Sequence, residues 1–338
     1  MRYSIFCFSD AGAALAIRLC EVLRLDRRDV HSTPKYAGKY GFSEHAAVSS
    51  AVGDLFNESD ALIFIGAAGI AVRSIAPHVV SKVSDPAVIV LDDRGRFVIS
   101  LLSGHIGGAN GLARNIAGLI GAEPVITTAT DGAGKFSCDA WAVTHDCAIS
   151  SMAAAKDISA AILTRDVPVS SEYSLPDELP PGLTAASEGD LGIYIGIFKR
   201  EPYSSTLRLI PRTVILGVGC RKDIPAENVM GAVRSVLDEA CIDIRAVGRI
   251  ASIVNKREEK GLLETAEELG AETVFYTADE LNAVPGDFEE SEFVKKTVGT
   301  GNVCERAAVL AGGELLIKKT AVNGVTVAVS VQERRIEF

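Results

Sequence analysis

Ser103 and His105 stand two residues apart in Ser100-Leu101-Leu102-Ser103-Gly104-His105-Ile106-Gly107-Gly108-Ala109-Asn110. An imidazole titrates near neutral pH and can move a proton, and a hydroxyl can donate to an oxygen that gains charge. His105 reads as a general acid/base or ligand contact, or else as a histidine that pins its loop by hydrogen bonds. Ser103 reads as a substrate-bonding or capping hydroxyl rather than a nucleophile, because Ser-Gly-His-x-Gly-Gly is not the G-x-S-x-G elbow. Gly104, Gly107 and Gly108 permit close backbone approach, and a helix starting near Asn110 would offer N–H groups to an anion. Downstream, Thr127-Thr128-Ala129-Thr130-Asp131 gathers hydroxyls and a carboxylate. Asp131 either orients His105 or a water, or serves the Asp131-Gly132 turn.

Three further segments have ligand-binding chemistry. Gly66-Ala67-Ala68-Gly69 follows an apolar run and leads into a helical pattern carrying Arg73. Gly217-Val218-Gly219-Cys220-Arg221 reads as a Gly-rich turn, but a dinucleotide fingerprint would need a third glycine where Lys222 stands. Cys220 is either a thiol nucleophile beside Arg221 and Lys222 or a buried, incidental thiol. Gly299-Thr300-Gly301-Asn302 precedes a helical pattern whose Glu305 either complements the helix dipole or faces a ligand. Other cations flank these loops: Lys82, Arg94, Arg96 and Arg114 in the first half, Arg249, Lys256 and Arg257 in the second.

The positioning elements follow from apolar periodicity. Strands are expected at Tyr3–Phe8, Ala61–Ile65, Ala87–Leu91, Arg96–Leu102 and Val125–Thr128, with a hairpin turn at Asp92-Asp93-Arg94-Gly95. Helices are expected at Gly12–Leu25, with Asp10 as cap, and at Val48–Phe56, Ile70–Ile75 and Gly111–Gly121. This βα alternation predicts an open, mainly parallel sheet with helices on both faces over residues 1–145. The loops at Gly66 and Ser103 would then place two helix starts at the rim of one crevice. Residues 146–211 are broken by prolines and read as a small middle module or linker, with a helix at Ser150–Leu163 and a strand at Asp190–Phe198. Residues 212–338 read as a second α/β domain. Its strands are expected at Val214–Val218, Ile244–Val247 and Thr273–Tyr276, its helices at Pro225–Ala240, Glu258–Leu269, Ala278–Leu281 and Asn302–Ala311, and a terminal hairpin closes it.

Composition narrows the function. The 338-residue chain has a formal net charge of −10, which argues against a nucleic-acid binder that must neutralise phosphates. No apolar run approaches the ~18 residues of a membrane span, and Met1–Phe8 reads as a strand rather than a signal peptide. Seven cysteines include no C-x-x-C pair, and five histidines include no H-x-x-x-H pair. Reduced thiols in a cytoplasm are the simplest reading, and no resident metal is expected.

Taken together, Gly66 to Pro77, Ser84-Asp85-Pro86-Ala87-Val88, Ser100 to Asn110 and Pro124 to Asp131 resemble the cobalamin-biosynthesis CbiG family, the cobalt-precorrin-5A hydrolases of the anaerobic pathway. Leu216 to Arg221, Ser252 with Lys256 and Glu259, Val303 to Leu310, Lys318 and Thr326-Val327-Ala328 resemble its second domain. The family usually has Ile-Asp-x-Lys after Ser252. Here Ile253-Val254-Asn255-Lys256 keeps the lysine and lacks the aspartate.

The resemblance implies a hydrolase that opens the δ-lactone of cobalt-precorrin-5A, releases a two-carbon fragment as acetaldehyde and yields cobalt-precorrin-5B. It implies no cofactor beyond the cobalt carried by the substrate, no nucleic-acid or membrane partner, and allows for a homodimer or contact with other corrin-pathway enzymes. His105 would shuttle the proton, Ser103 and loop N–H groups would meet the oxyanion, and Asp131 would orient. Gly66, Ala67, Gly69, Arg73, Gly104, Gly107, Gly108, Asn110, Thr127, Thr128, Gly217, Gly219, Cys220, Arg221, Ser252, Lys256 and Glu305 would bind substrate. Competing readings are a non-catalytic tetrapyrrole carrier, a nucleotide- or sugar-phosphate-binding protein, and a structural subunit of a biosynthetic assembly.

Overall fold

The computed structural model describes residues 2–81, 84–105, 107–128 and 132–338. The chain divides into two compact units, residues 1–143 and 144–338.

The first unit is built on a seven-stranded sheet. Its strands are β1 (Tyr3–Cys7), β2 (Val30–Ser32), β3 (Ser43–Glu44), β4 (Ala61–Ile65), β5 (Ala87–Leu91), β6 (Phe97–Leu102) and β7 (Glu123–Val125), in spatial order β3-β2-β1-β4-β5-β6-β7. Alternate residues of the central strands feed opposite cores, as a strand's period of two requires. Ile5, Cys7, Ile63, Ile65, Ile89 and Leu91 pack under the helices Asp10–Leu23 and Ala109–Ile120. Phe6, Leu62, Phe64, Val88 and Val90 pack under Val48–Leu55 and Ala68–Ile75. Both faces are thus covered, which is why these strands read as unbroken apolar runs. The first helix is capped by Ser9, whose hydroxyl accepts from the Gly12 N–H at 3.0 Å. Asp10, expected as the cap, lies inside the first turn and accepts from Lys39 and Tyr40.

Strand direction corrects the expectation of one crevice. β1, β4 and β5 run parallel, but β6 returns antiparallel to β5, with Leu91 opposite Val98 and Val88 opposite Leu102. The chain therefore leaves β6 at the edge where β5 begins. β7 runs parallel to β6 and ends at that same edge. The Gly66 loop, which follows β4, lies at the opposite edge.

The second unit holds two sheets. The first, in order β10-β9-β11-β12-β8, comprises β8 (Cys147–Ile149), β9 (Val167–Ser171), β10 (Leu183–Ala185), β11 (Leu191–Ile195) and β12 (Ser205–Pro211). The segment read as a middle module or linker thus carries a sheet of its own and shares one compact unit with residues 212–338. Pro168 and Pro211 sit near strand ends, where a missing N–H is tolerated, so prolines hid β9 and β12 from a periodicity reading. The second sheet, β15-β14-β13-β17-β16, comprises β13 (Val214–Cys220), β14 (Val247–Ile253), β15 (Glu272–Tyr276), β16 (Glu314–Val322) and β17 (Val325–Val331). Ile244 to Ala246, expected in a strand, forms a 3-10 turn capped by Asp243, and the strand begins at Val247.

Gly217 and Gly219 are strand residues, not a turn. A Cβ on Gly217 would lie 1.8 Å from the Cys304 carbonyl oxygen, and one on Gly219 would lie 2.6 Å from Thr326 Oγ1. The glycines admit a helix and a neighbouring strand against β13.

Candidate functional site

The segment between β6 and the helix Ala109–Ile120 folds back on itself. The N–H groups of Gly108, Ala109 and Asn110 donate to the carbonyls of His105, Ser103 and Gly104 at 2.9, 3.1 and 2.8 Å. Those N–H groups are spent within the loop, which removes them from the anion cradle expected at this helix start. Ser103 is held at φ 56°, a left-handed conformation that costs a non-glycine residue of order 1 kcal/mol or more. Gly107 makes this possible, because a Cβ there would stand 2.4 Å from that of Ser103. The Ser103 hydroxyl is buried and has no hydrogen-bond partner among the described residues. A buried, unpaired hydroxyl costs free energy that a bound acceptor would recover.

His105 Nδ1 lies 3.1 Å from Asp139 Oδ2. The other carboxylate oxygen, Oδ1, accepts from Ser137 Oγ at 2.7 Å and from the Ala140 N–H at 3.1 Å. Burial pushes the Asp139 carboxyl up. The hydrogen bond and charge of His105, with the Ser137 bond, outweigh it, and the net displacement is below the usual carboxylate value. An ionised carboxylate only accepts, so in this contact Nδ1 carries the proton. Asn110 Nδ2 donates to Thr128 Oγ1 at 3.0 Å, joining the loop to the segment after β7. A Cβ on Gly104 would meet the Asn110 amide at 2.8 Å.

The structure thus brings Ser103, Gly104, His105, Gly107, Gly108, Asn110 and Thr128 to one edge of the sheet. Thr127 is exposed next to Thr128. Asp131 lies outside the described residues, as does Ile106. Among the described residues, the carboxylate that holds His105 is Asp139, which sequence reasoning missed. Its only signal was an acidic residue beside Ser137 and Cys138 with no periodicity to place it.

Gly66, Ala67, Gly69 and Arg73 are at the other edge. Gly66 has φ 147°, and Arg73 is exposed, its guanidinium donating to the Gly69 carbonyl at 3.4 Å. They do not meet the His105 loop.

The second unit contains a cavity of about 990 Å³, bordered by Gly219, Cys220, Arg221 and Lys256 among others. The other residues expected there are used internally. Gly217 packs on Cys304, and buried Ser252 donates to the Val218 carbonyl at 2.6 Å. Glu305, 1% exposed, accepts from Asn302 Nδ2 at 2.8 Å and from the Lys319 N–H at 2.7 Å. Both of its carboxylate oxygens are thus engaged within the second unit. Burial raises the Cys220 thiol above its ordinary value; Lys256 lowers it and Glu259 raises it, and the net effect is upward. That direction favours the protonated thiol over the thiolate that a nucleophile needs.

Two family profiles match the chain: "Cobalamin synthesis G N-terminal" over residues 50–131 and "Cobalamin synthesis G C-terminus" over residues 214–330. A protein of Salmonella typhimurium named cobalt-precorrin-5A hydrolase is 35% identical over 97% of this chain and 97% of its own length. A protein of the same name from Priestia megaterium is 31% identical over 82% of this chain and 80% of its own. Protein CobE of a Sinorhizobium species is 28% identical over 35% of this chain and 79% of its own length. No helix among the described residues is long and apolar enough to cross a membrane.

Proposed function

The chain belongs to the cobalamin synthesis G family, and on that ground we propose that it is a cobalt-precorrin-5A hydrolase. It opens the δ-lactone of cobalt-precorrin-5A with water and releases the two-carbon fragment as acetaldehyde. Substrate plus water thus balances ring product plus acetaldehyde. The observation that carries the site assignment is the His105–Asp139 pair beside a buried, unpartnered Ser103 hydroxyl.

Lactone opening needs a base to activate water, a donor for the oxyanion, and a group to move the proton as the carbon fragment departs. His105 Nε2 takes the water proton while Asp139 holds the ring and stabilises the imidazolium. The Ser103 hydroxyl, already desolvated, donates to the developing oxyanion. The imidazolium then returns its proton to the departing system. Asp139 takes the orienting role in this scheme. The cobalt is substrate and needs no resident metal site. Seven cysteines, none in a disulfide, support a cytoplasmic location.

The test is anaerobic incubation of the purified protein with the cobalt-bound lactone, assaying acetaldehyde and substrate mass. Acetaldehyde with a matching mass change is the expected result. Tight binding without release would make the protein a carrier. Neither binding nor release, from a folded sample, would remove this substrate.

A further inference from the structure

Serines cap several helices of this chain, and one of them does so in reverse. A serine at the cap ordinarily accepts, through its hydroxyl oxygen, from the N–H of the second or third helical residue. Ser9 accepts in this way from Gly12, Ser151 from Ala154 and Ser291 from Val294. Ser137 holds the same position ahead of the helix Cys138–Thr144, because its carbonyl accepts from the Trp141 N–H at 3.0 Å. Yet the N–H of the third helical residue, Ala140, goes to Asp139 Oδ1 at 3.1 Å, and the Ser137 hydroxyl donates to that same oxygen at 2.7 Å. The carboxylate has taken the capping bond, and the serine serves the carboxylate.

The reversal has a geometric consequence. A carboxylate held by a single partner swings about its Cβ–Cγ bond. With two donors on Oδ1 the plane of the Asp139 carboxylate is fixed, and Oδ2 is left facing His105 Nδ1 at 3.1 Å. The side chains of His105 and Asp139 are only 19% and 12% exposed, so water competes poorly for either oxygen. The Ser137 bond is also among the influences that keep Asp139 ionised, and hence an acceptor only.

We propose that Ser137 is a positioning residue for the His105 imidazole. It acts through Asp139: its hydroxyl fixes the carboxylate whose other oxygen orients the ring. The effect on turnover rests on the hydrolase reading above, whereas the effect on the ring does not.

The experiment therefore has two readouts on the full-length protein. The first is exchange of the His105 Nδ1 proton with water, followed by NMR and assigned by its absence from His105→Ala. Ser137→Ala speeds this exchange at least about tenfold, and Ser137→Thr, which keeps the hydroxyl, stays within about twofold of the parent. The second is acetaldehyde release. Ser137→Ala lowers kcat about 3- to 10-fold with KM unchanged, and Ser137→Thr restores it. Placed on Asp139→Asn, Ser137→Ala costs no more than about twofold, because the group it works through is already gone. A serine that merely capped the helix would cost the same in both backgrounds, so additive losses would overturn the proposal. Parental proton exchange and kcat in Ser137→Ala would overturn it too. The two readings fail separately. The expected exchange pattern with no acetaldehyde from the parent would sink the hydrolase and leave Ser137 in its role. Acetaldehyde release with Ser137→Ala matching the parent in both readouts would do the opposite.

Discussion

Asp139 in the first unit and Asp243 in the second are both nearly buried, 8% and 3% exposed, and both sit below the usual carboxylate value. They differ in what holds them there. For each, burial is the largest influence and pushes upward. At Asp139 it is outweighed by His105 and Ser137, and at Asp243 by hydrogen bonds from Arg245 and the charges of Arg245 and Arg208. Arg208 reaches Asp243 at 2.8 Å from β12, and Arg245 at 2.7 Å from the turn before β14. Arginine keeps its proton at any working pH, so this cluster is a fixed tie between the two sheets of its unit. Histidine exchanges its proton near neutrality. The same buried carboxylate is a structural rivet with one partner and, in the proposed mechanism, the support of a proton carrier with the other.

His105→Ala should break that contrast most severely. Loss of a positioned general base costs about 10²–10⁴-fold in turnover, read as the initial rate of acetaldehyde release with the fold intact by circular dichroism. A rate within about twofold of the parent would move the proton shuttle to another group.

Asp243→Asn should act on stability instead. It leaves two arginines short of their counter-ion, one of them more than a third exposed and screened by solvent. A loss of about 3 kcal/mol, at the lower end for a broken buried pair, is therefore expected in urea unfolding. The kcat of the folded fraction should be unaltered. A changed kcat with unchanged stability would reverse the two roles.

Asp139→Asn sharpens the comparison further. An amide preserves the shape but no longer stabilises an imidazolium, and it can hold the ring in the wrong tautomer. Turnover should drop about 10- to 100-fold while KM stays put, because Asp139 acts through His105 and does not touch substrate. An equal rise in KM would make Asp139 a binding group.

Much of this was legible in the sequence where local pattern decides the outcome. The runs at Ala61–Ile65 and Ala87–Leu91 could only be strands buried on both faces, and the Ser103–Asn110 loop announced itself by its glycines. The hairpin at Asp92–Gly95 was legible too, but its consequence for position was not. One reversal of direction carries the His105 loop to the edge opposite Gly66, and periodicity holds no record of which edge a strand ends on. Gly217 and Gly219 looked like a turn because their cause lies 87 and 107 residues downstream, at Cys304 and Thr326. Asp139 was invisible for the same reason, since only the folded chain brings it to a histidine 34 residues upstream.

The smallest effect concerns acid. Asp243 has a folded-state value below its unfolded one, so its ionised form is favoured in the native state. Its contribution is fully present above the unfolded carboxylate value, about 3.9, and is lost as pH falls through the lower folded value. Asparagine at 243 cannot titrate and has no such dependence. The urea-midpoint gap between the parent and Asp243→Asn should therefore be constant from pH 7 down to about 5 and close progressively below about pH 4. Asp139 adds a parallel acid dependence to both proteins, which cancels in the difference. A gap that stayed constant into strong acid would mean that the variant lost packing rather than a charge, and the rivet would have to be assigned to shape.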